Sequence, residues 1–361
     1  MKVAVFGLVA GLFCGRAALA YDGWHLERTF AIPSGTSSFD YISFDGGSNR
    51  LFIGHRKEGL QVFDVASGTV AGVVAGTPEA SSNGAVVIPE FDLGVSSNEN
   101  GTLIPFRLSS LEALPPVKLA EELDTSHYDP AAKRLFVNLA PDATGTDIAV
   151  LDMPSLARAG TVRVKARKPE HAVFDGAGLM YLAARDLDVV YRIDTRTMAV
   201  TAEWPTAGCG QANSTALDAA NKRLFVACRG SDKIKPSLIV VDTDTGRVGY
   251  TAEIGGGNDG LVFDARSKRI FAACGLNAVL NVFEQVDADT YKPVEAVGTR
   301  AMVKVLAFDT ERQKLYSMTA ETAADFGKKI NTAVGPFYPN TFIRNTFTVL
   351  QYSRSGGGDG G

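Results

Sequence analysis

Residues 168–175 read Lys-Pro-Glu-His-Ala-Val-Phe-Asp, in which the polar Glu170 stands five places before Asp175 and a short apolar run lies between them. A second apolar pair, Tyr181-Leu182, begins six residues after that aspartate. The intervals between successive units of this kind are 45, 39, 46, 43, 46 and 45 residues. The chain is therefore an array of seven copies of one structural unit. The units end at seven acidic marker positions, Asp45, Glu90, Asp129, Asp175, Asp218, Asp264 and Asp309.

Each unit has the pattern of four short strands. The first strand ends at the marker, and in most units a second strand starts six residues later, as in Leu51-Phe52-Ile53 and Leu224-Phe225-Val226. The second unit departs from this pattern, because Leu93-Gly94-Val95 follows Glu90 sooner. Turn residues separate a third strand and a weaker fourth strand. Seven such units predict an all-β, seven-bladed β-propeller with four-stranded blades, since radial packing buries both faces of each sheet.

The two ends of the array complement each other. The last unit lacks a fourth strand, because only a short polar segment and a glycine-rich tail follow residues 345–351. A strand-like segment, 24–32, precedes the first unit. We expect 24–32 to pair with 345–351, which closes the ring with the N-terminal strand and leaves no exposed sheet edge. A long insertion at 320–344 is then either functional or a packed cover.

The first twenty residues have the pattern of a secretory signal peptide. Lys2 is followed by an apolar run from Val3 to Phe13 and by Ala18-Leu19-Ala20, a small-residue cleavage site. The apolar run is too short to span a bilayer, so no transmembrane segment is predicted. We therefore expect an export signal at 1–20 and a protein that is periplasmic or secreted.

The rest of the chain is expected to form one domain. Of the 361 residues, 45% are hydrophobic, which is enough for a large core. The predicted propeller covers 21–354, and a disordered glycine-rich tail covers 355–361. Removal of 1–20 changes the formal charge from -4 to -6, with 34 basic and 40 acidic residues left. This mild acidity argues against nucleic acid as a partner bound through a basic surface.

The spacing of three cysteines predicts one disulfide. Cys209 stands nine residues before the marker Asp218, and Cys228 stands ten residues after it. Their strands are antiparallel neighbours, so both sulfurs are expected at the same rim, within bonding distance. Cys274 holds the matching place one unit later and is either the leftover thiol or a rival partner. The alternative is that all three thiols stay reduced.

The first unit carries a family resemblance. It contains Phe-Asp-Tyr-Ile-Ser-Phe-Asp (39–45), Asn-Arg-Leu-Phe-Ile-Gly-His (49–55) and Val-Phe-Asp-Val-Ala-Ser-Gly-Thr-Val (62–70). These runs, with the closing unit from Lys304 onward, resemble the YVTN-repeat, YncE-like propellers of bacterial periplasms over 24–353. The resemblance implies the fold and an exported protein. That family is mostly functionally undefined, with ligand-binding or scaffold roles expected. Leu-Phe stands here where the family often has Tyr-Val or Tyr-Ile.

The position five residues before each marker is the start of the innermost strand, and it is polar in six of the seven units. The second unit has Ala85 there, with Asn83 nearby. Ring symmetry brings these side chains to one mouth of the central channel, which we expect to be polar, acidic and ligand-binding. The alternative is that they cap strand ends and bind water. The six positions are Asp40, Asp124, Glu170, Asn213, Asp259 and Lys304.

Oxygen ligands at this mouth suit a divalent cation, Ca²⁺, Mg²⁺ or Mn²⁺. Glu170, Asn213 and Asp259 are the expected ligands, by analogy with the six-bladed gluconolactonase-type propellers. Crowded carboxylates would repel one another, which favours either a bound cation or raised pKa values.

Two histidines are candidates for the same mouth. His171 follows Glu170, and the two are the candidate acid–base residues. A hydrogen-bonded core or rim histidine is the alternative. His55 stands ten residues after its marker, the offset of Cys228, so it is expected to reach the ligand-binding rim.

The leading hypothesis is an exported propeller that binds an unknown small molecule or protein at its channel mouth. The competing hypothesis is a metal-dependent hydrolase, lactonase or lyase that acts at the same place. The sequence contains no Gly-Xaa-Ser-Xaa-Gly elbow, His-Glu-Xaa-Xaa-His pair or phosphate-binding loop that would decide between them.

Overall fold

The computed structural model describes residues 23–36, 38–338 and 340–355. The predicted signal peptide at 1–20 and the tail beyond Ser355 lie outside the described residues. Seven four-stranded antiparallel sheets form a ring, with two small two-stranded sheets beside them. This is the seven-bladed β-propeller that the repeat predicts. In the part of the chain that the structure describes, no helix has the length and apolar character needed to cross a membrane.

The strands are numbered in chain order, and β1 (Trp24–Ala31) precedes the repeats. Blade 1 contains β2 (Ile42–Asp45), β3 (Arg50–Gly54), β4 (Leu60–Asp64) and β5 (Thr69–Val73). A short helix α1 (Thr77–Ala80) leads to blade 2, which contains β6 (Ser82–Ile88), β7 (Leu93–Asn98), β8 (Thr102–Arg107) and β9 (Val117–Lys118), with a 3-10 turn at Pro89–Phe91. Blade 3 contains β10 (Leu123–Asp129), β11 (Arg134–Leu139), β12 (Thr146–Asp152) and β13 (Ala157–Val164).

Blade 4 contains β14 (Pro169–Phe174), β15 (Leu179–Ala184), β16 (Val189–Asp194) and β17 (Ala199–Pro205). Blade 5 contains β18 (Ala212–Asp218), β19 (Arg223–Cys228), β20 (Ser237–Asp242) and β21 (Val248–Glu253). Blade 6 contains β22 (Asn258–Asp264), β23 (Arg269–Cys274), β24 (Val279–Gln285) and β25 (Tyr291–Gly298). Blade 7 begins with β26 (Ala307–Asp309) and β27 (Lys314–Thr319). The insertion contributes β28 (Thr322–Ala324), β29 (Ile330–Thr332), β30 (Gly335–Phe337) and β31 (Asn340–Phe342), and β32 (Thr348–Arg354) then returns to blade 7.

The repeated aspartate closes the turn between the first two strands of a blade. Asp129 is buried, and its Oδ1 accepts hydrogen bonds from the backbone N–H groups of Ala131 at 3.0 Å and Ala132 at 3.3 Å. Asp309 takes the same two bonds from the residues two and three places on. A short carboxylate side chain is suited to this because it reaches the following backbone N–H groups and holds a tight turn. The sequence period is therefore the period of this turn.

The second unit departs from the pattern for a local reason. Its inner strand β6 ends at Ile88, and Glu90 lies in the 3-10 turn that follows. The Glu90 carboxylate accepts a hydrogen bond from the Tyr128 hydroxyl and lies 3.5 Å from Lys133 Nζ. Glu90 therefore contacts blade 3 and does not close its own turn, so β7 begins early, at Leu93.

Aromatic and aliphatic side chains fill the space between blades. The ring centroid of Phe136 in blade 3 lies 5.5 Å from that of Phe174 in blade 4. Phe225 of blade 5 lies 5.0 Å from Phe263 of blade 6 in the same way. Burying a side chain of this kind contributes roughly 1.5–3 kcal/mol. These apolar contacts between sheets hold the ring together and fix the channel at its centre.

The ring is closed by the N-terminal strand, as the sequence predicts. β1 pairs antiparallel with β32, from Trp24 opposite Arg354 to Ala31 opposite Thr348. The Trp24 ring also lies 4.9 Å from that of Phe271 in blade 6. Blade 7 is thus assembled from both ends of the chain.

The insertion folds into two hairpins. β28 pairs with β31, and within that pair β29 pairs with β30. The insertion follows β27, so it leaves the ring at the rim where second strands end. The backbone N–H of Ala333, in the turn between β29 and β30, donates a 2.9 Å hydrogen bond to Ser231 O of blade 5.

Candidate binding site at the channel mouth

Two rows of positions meet at one rim of the ring. The innermost strand of each blade starts at this rim, and its antiparallel neighbour ends there, so Pro169 on β14 is opposite Ala184 on β15. Glu170 therefore lies beside Arg185, the residue after β15. The channel mouth is the set of side chains that these two rows provide: Asp40, Arg56, Asp124, Glu170, Arg185, Asn213, Arg229, Asp259 and Lys304.

Ion pairs join several blades across the mouth. Lys304 Nζ, from the segment before β26, lies 2.9 Å from Asp259 Oδ2 of blade 6 and 3.6 Å from Asp40 Oδ1 of blade 1. Arg56, which follows β3, places its guanidinium 2.7 Å from the other oxygen of Asp40. Its second nitrogen lies 3.0 Å from Glu99 of blade 2. Four of the seven blades are linked in this way.

Blades 4 to 6 contribute a second group of contacts. Asn213 Nδ2 donates to Asp259 Oδ1 at 3.1 Å, and the Arg229 guanidinium pairs with the same carboxylate. Arg185 lies 3.1 Å from Glu170 Oε1. The structure therefore brings together Asp40, Asn213, Asp259 and Lys304 by direct contact, and it places Glu170 beside its own cation.

Three arginines complete the mouth, and none of them stands at the position five residues before a marker that predicted the other mouth residues. Arg56 and Arg229 stand eleven residues after their markers, and Arg185 stands ten after Asp175, where the turn is one residue shorter. Alignment of the units at the end of the second strand would have found this row. With these cations the mouth is a ring of mixed charge, which differs from the acidic mouth that the sequence suggested.

Burial changes the acidity of two carboxyl groups. Loss of water around Glu170 raises its pKa to about 7; the nearby Arg185 opposes this shift, and Asp124 adds to it. Burial also raises the pKa of Asp124, with a further contribution from Asp40. Asp124 lies on β10 and lines the central cavity together with Tyr41. Glu170 is therefore a carboxyl group that titrates near neutral pH.

Burial acts on the cations in the opposite direction. It lowers the pKa of Lys304, although Asp40 counteracts the shift. It also lowers the pKa of Arg229, and the neighbouring Arg185 adds to that effect. Both groups are positively charged in a place where water solvates them poorly, so additional negative charge beside them would be stabilising.

His171 belongs to the central cavity. Its Nδ1 lies 2.9 Å from Thr215 Oγ1, and its ring meets that of His127 edge-on at 5.1 Å. Burial lowers the pKa of His171 to about 4. Successive residues of a strand point to opposite sides, which explains why His171 and Glu170 have different partners.

His55 is buried behind the rim. Only 1% of the residue is exposed, and Nδ1 lies 3.1 Å from Gln61 Oε1. Its ring centroid lies 4.2 Å from that of Phe347. The predicted ligand-binding position thus reaches the rim through its backbone, while its side chain packs inside.

The three expected divalent-cation ligands have different surroundings. Asn213 Oδ1 is buried and accepts no hydrogen bond from the described residues, which suits a metal ligand. Glu170 and Asp259, however, already face Arg185, Arg229 and Lys304. Among the described residues, no group of three or more His, Cys, Asp or Glu side chains is arranged to hold a metal ion. In the structure these carboxylates are paired with cations, and the metal site stays a prediction.

Cavities adjoin the mouth in several places. The central cavity, of about 790 Å³, is lined mainly by the inner strands of blades 1 to 4. A second cavity, of about 490 Å³, lies between the β29–β30 hairpin and the loops of blades 5 to 7. Arg229, Asp259 and Lys304 line this second cavity. The insertion therefore covers one sector of the mouth.

The predicted disulfide is present at the same rim. Cys209 and Cys228 are bonded, with 5.0 Å between their Cα atoms, and Cys274 is a buried free thiol. Since Arg229 follows Cys228 directly, the disulfide ties down the segment that presents this arginine.

Comparison with known proteins identifies the architecture alone. No protein-family model matches the chain, and no curated protein matches it. One similar solved structure is a chain of a mitotic checkpoint complex crystal structure, with a TM-score of 0.68, 12% identity and coverage of 95% of this chain and 99% of that one. Another is the crystal structure of RRP9 WD40 repeats, with a TM-score of 0.69, 8% identity and coverage of 89% and 96%. At sequence identities this low, the similarity shows a shared fold and nothing more.

Proposed function

We propose that the protein is an exported binding propeller whose channel mouth holds a small molecule or an exposed segment of another protein. The observation that carries the proposal is the mixed-charge ring at the mouth, one sector of which is covered by the β29–β30 hairpin. Binding sites need polar groups held in place beforehand, and here most of the charged groups lie at strand ends and have an ion-pair partner.

The chain's other features are consistent with this proposal. Export rests on the signal-like pattern at 1–20, and a disulfide between Cys209 and Cys228 is typical of oxidising compartments. One similar solved structure comes from a protein complex, which supports protein interaction as a use of this architecture. Fold alone does not assign a function, so the mouth residues carry the argument.

A thermal-unfolding screen with a library of metabolites and peptides tests the proposal. A compound at a hundredfold its Kd adds about 2.7 kcal/mol to the free energy of unfolding, which is easily measured as a rise in Tm. We expect compounds that stabilise the parent protein and fail to stabilise Lys304→Met. Lys328→Met is the matched control, because Lys328 is exposed and pairs with Asp325 on the insertion. If every stabilising compound acts equally on all three proteins, the mouth is not the binding site.

Acid–base catalysis at the mouth is the second candidate function. It is favoured by Glu170, because a carboxyl group with a pKa of about 7 exchanges protons readily at neutral pH. A metal-dependent hydrolase, lactonase or lyase would also contain a stoichiometric divalent ion. Metal analysis of the purified protein tests this: an ion that is retained by the parent and lost from Asp259→Ala supports the enzyme, and metal-free protein that still binds its ligand argues against it.

A further inference from the structure

The cavity beneath the β29–β30 hairpin has two chemically different walls. Its volume of about 490 Å³ is within the usual range for small-molecule sites. One wall carries charged side chains from blades 5 to 7, and the other carries apolar side chains from the hairpin and the neighbouring loops.

The charged wall presents cations to the cavity. Arg229 and Lys304 have 27% and 23% of their side chains exposed, against 9% for Asp259 between them. Both oxygens of Asp259 are already engaged, one by Asn213 and Arg229 and the other by Lys304. The Asp259 carboxylate is therefore already paired, and the two cations are more exposed to the cavity than it is.

Spare hydrogen-bond donors remain on this wall. A guanidinium has five N–H donors, and a lysine ammonium has three. Within the described residues, Arg229 uses its donors on Asn258 O, at 3.0 Å, and on Asp259. Asp232 also borders the cavity, but it is exposed, so water and salt screen its charge. Lys304 also has Asp40 Oδ1 at 3.6 Å. An occupant with acceptors would use the remaining donors, and a negative charge on it would interact favourably with both cations.

The apolar wall exposes hydrophobic surface that an occupant would cover. Ile330 on β29 is 49% exposed, and Leu276 after β23 is 37% exposed. Phe337 on β30 and Met302 line the same space. Removing such surface from water is favourable.

We propose that this cavity binds a small organic carboxylate with an apolar group, the carboxylate held by Arg229 and Lys304 and the apolar group covered by the hairpin. This inference rests on the proposed function, because it names the ligand class for one sector of the same mouth. The ion-paired Asp259 fixes the two cations at a separation that a carboxylate can bridge.

Titration calorimetry with three matched probes tests the ligand class. The probes are 3-phenylpropionate, 3-phenylpropanol and 3-phenylpropylamine, which share an apolar group and differ in charge. We expect the carboxylate to bind and the alcohol and amine to bind at least tenfold more weakly. Lys304→Met should weaken binding of the carboxylate probe about ten- to a hundredfold, as expected for loss of a charged hydrogen bond.

A second pair of variants tests the apolar wall without touching the ring. Phe337→Ala should weaken binding of the carboxylate probe about three- to tenfold. Phe326→Ala is its control, because Phe326 lies on the same insertion and is 77% exposed outside the cavity. Lys328→Met is the control for Lys304→Met, and both controls should bind within about twofold of the parent.

The outcomes separate this inference from the proposed function. If the alcohol or amine binds as tightly as the carboxylate, or if Phe337→Ala and Phe326→Ala behave alike, the ligand class assigned here is wrong. Library compounds that depend on Lys304 would still support binding at the mouth in that case. If no compound of any class depends on Lys304, the proposed function is wrong as well.

Discussion

Glu170 shows how one position acquires its chemistry from the ring. It starts an inner strand, as the repeat predicts, and its carboxylate lies 3.1 Å from Arg185. An exposed ion pair of this kind would lower the pKa of the carboxyl group. Burial has the larger effect here and raises that pKa to about 7. Residue type alone therefore does not decide the protonation state at neutral pH.

Glu170→Gln should make the protein more stable at pH 8. The folded-state pKa of about 7 exceeds the ordinary value of 4.5, so protonation stabilises the folded protein fully below about pH 4.5. This contribution is lost as the pH rises through about 7. Glutamine mimics the protonated acid, so we expect the variant to exceed the parent by about 1–3 kcal/mol at pH 8 and to match it near pH 4.5. Denaturant unfolding across this pH range measures the difference.

The test depends on the difference in free energy of unfolding between the parent and Glu170→Gln at each pH. Burial lowers the pKa of His127 to about 3 and that of His171 to about 4. The free energy of unfolding therefore decreases as the pH falls, because both histidines bind protons more readily in the unfolded chain. In the parent, the effect of the histidines on stability opposes that of Glu170. It is the same in Glu170→Gln, so it cancels when the two proteins are compared at each pH. Glu253→Gln, at an exposed ion pair with Lys235, is the control. Parallel pH curves for parent and Glu170→Gln would contradict the raised pKa.

At the scale of elements, one strand pair and its loops build the sector that presents Arg229. β18 and β19 are antiparallel, with Ala212 opposite Cys228, so the loop before β18 returns to the end of β19. The Cys209–Cys228 bond joins these two places. Beside them, Ser231 receives the hydrogen bond from the insertion. The arginine, the disulfide and the hairpin contact thus belong to one local assembly.

Removing the disulfide should destabilise the protein and loosen this assembly. The bond joins residues 19 apart, and the chain-entropy model assigns a loop of this length about 3 kcal/mol. We expect the double variant Cys209→Ala/Cys228→Ala to lose about that free energy of unfolding. Reductant should lower the stability of the parent and leave the double variant unchanged. Equal stability of the parent and the double variant in the absence of reductant would show that the disulfide adds no stability.

At the scale of the whole molecule, the ring depends on its closure. Each blade packs between two neighbours, so an open ring exposes apolar faces at the break as well as a strand edge. β1 covers the edge of β32, and its Trp24 packs against Phe271 of blade 6. The similar solved structures have 8% and 12% identity, so the architecture tolerates very different sequences when the strand pattern is kept.

Deletion of 21–32 should abolish cooperative unfolding. The variant lacks the outer strand of blade 7 and the contact of Trp24, so one sheet edge faces water. Calorimetry or circular dichroism should show a broad transition at lower temperature than in a control that lacks only 1–20. A deletion variant with the sharp transition and Tm of that control would refute closure by β1.

Much of this structure follows from local pattern. The aspartate spacing specifies the turns, Asp129 and Asp309 show how, and strands between turns give the blades. The Cys209–Cys228 pair was also predictable, because Cys228 ends β19 and Cys209 lies just before the neighbouring strand β18, where register relates sequence offset to distance. The closing strand was predictable because the last unit was one strand short.

Relations between blades were decided by the tertiary structure. Lys304 and Asp259 are 45 residues apart and meet only because the ring turns their blades toward one axis. The placement of the insertion over blades 5 to 7 depends likewise on the path of two hairpins in space. Sequence alone determined the units and their number, since turns and strand alternation are local. Which charges pair, and which of them lose water, depend on distances and burial that arise only when the ring closes.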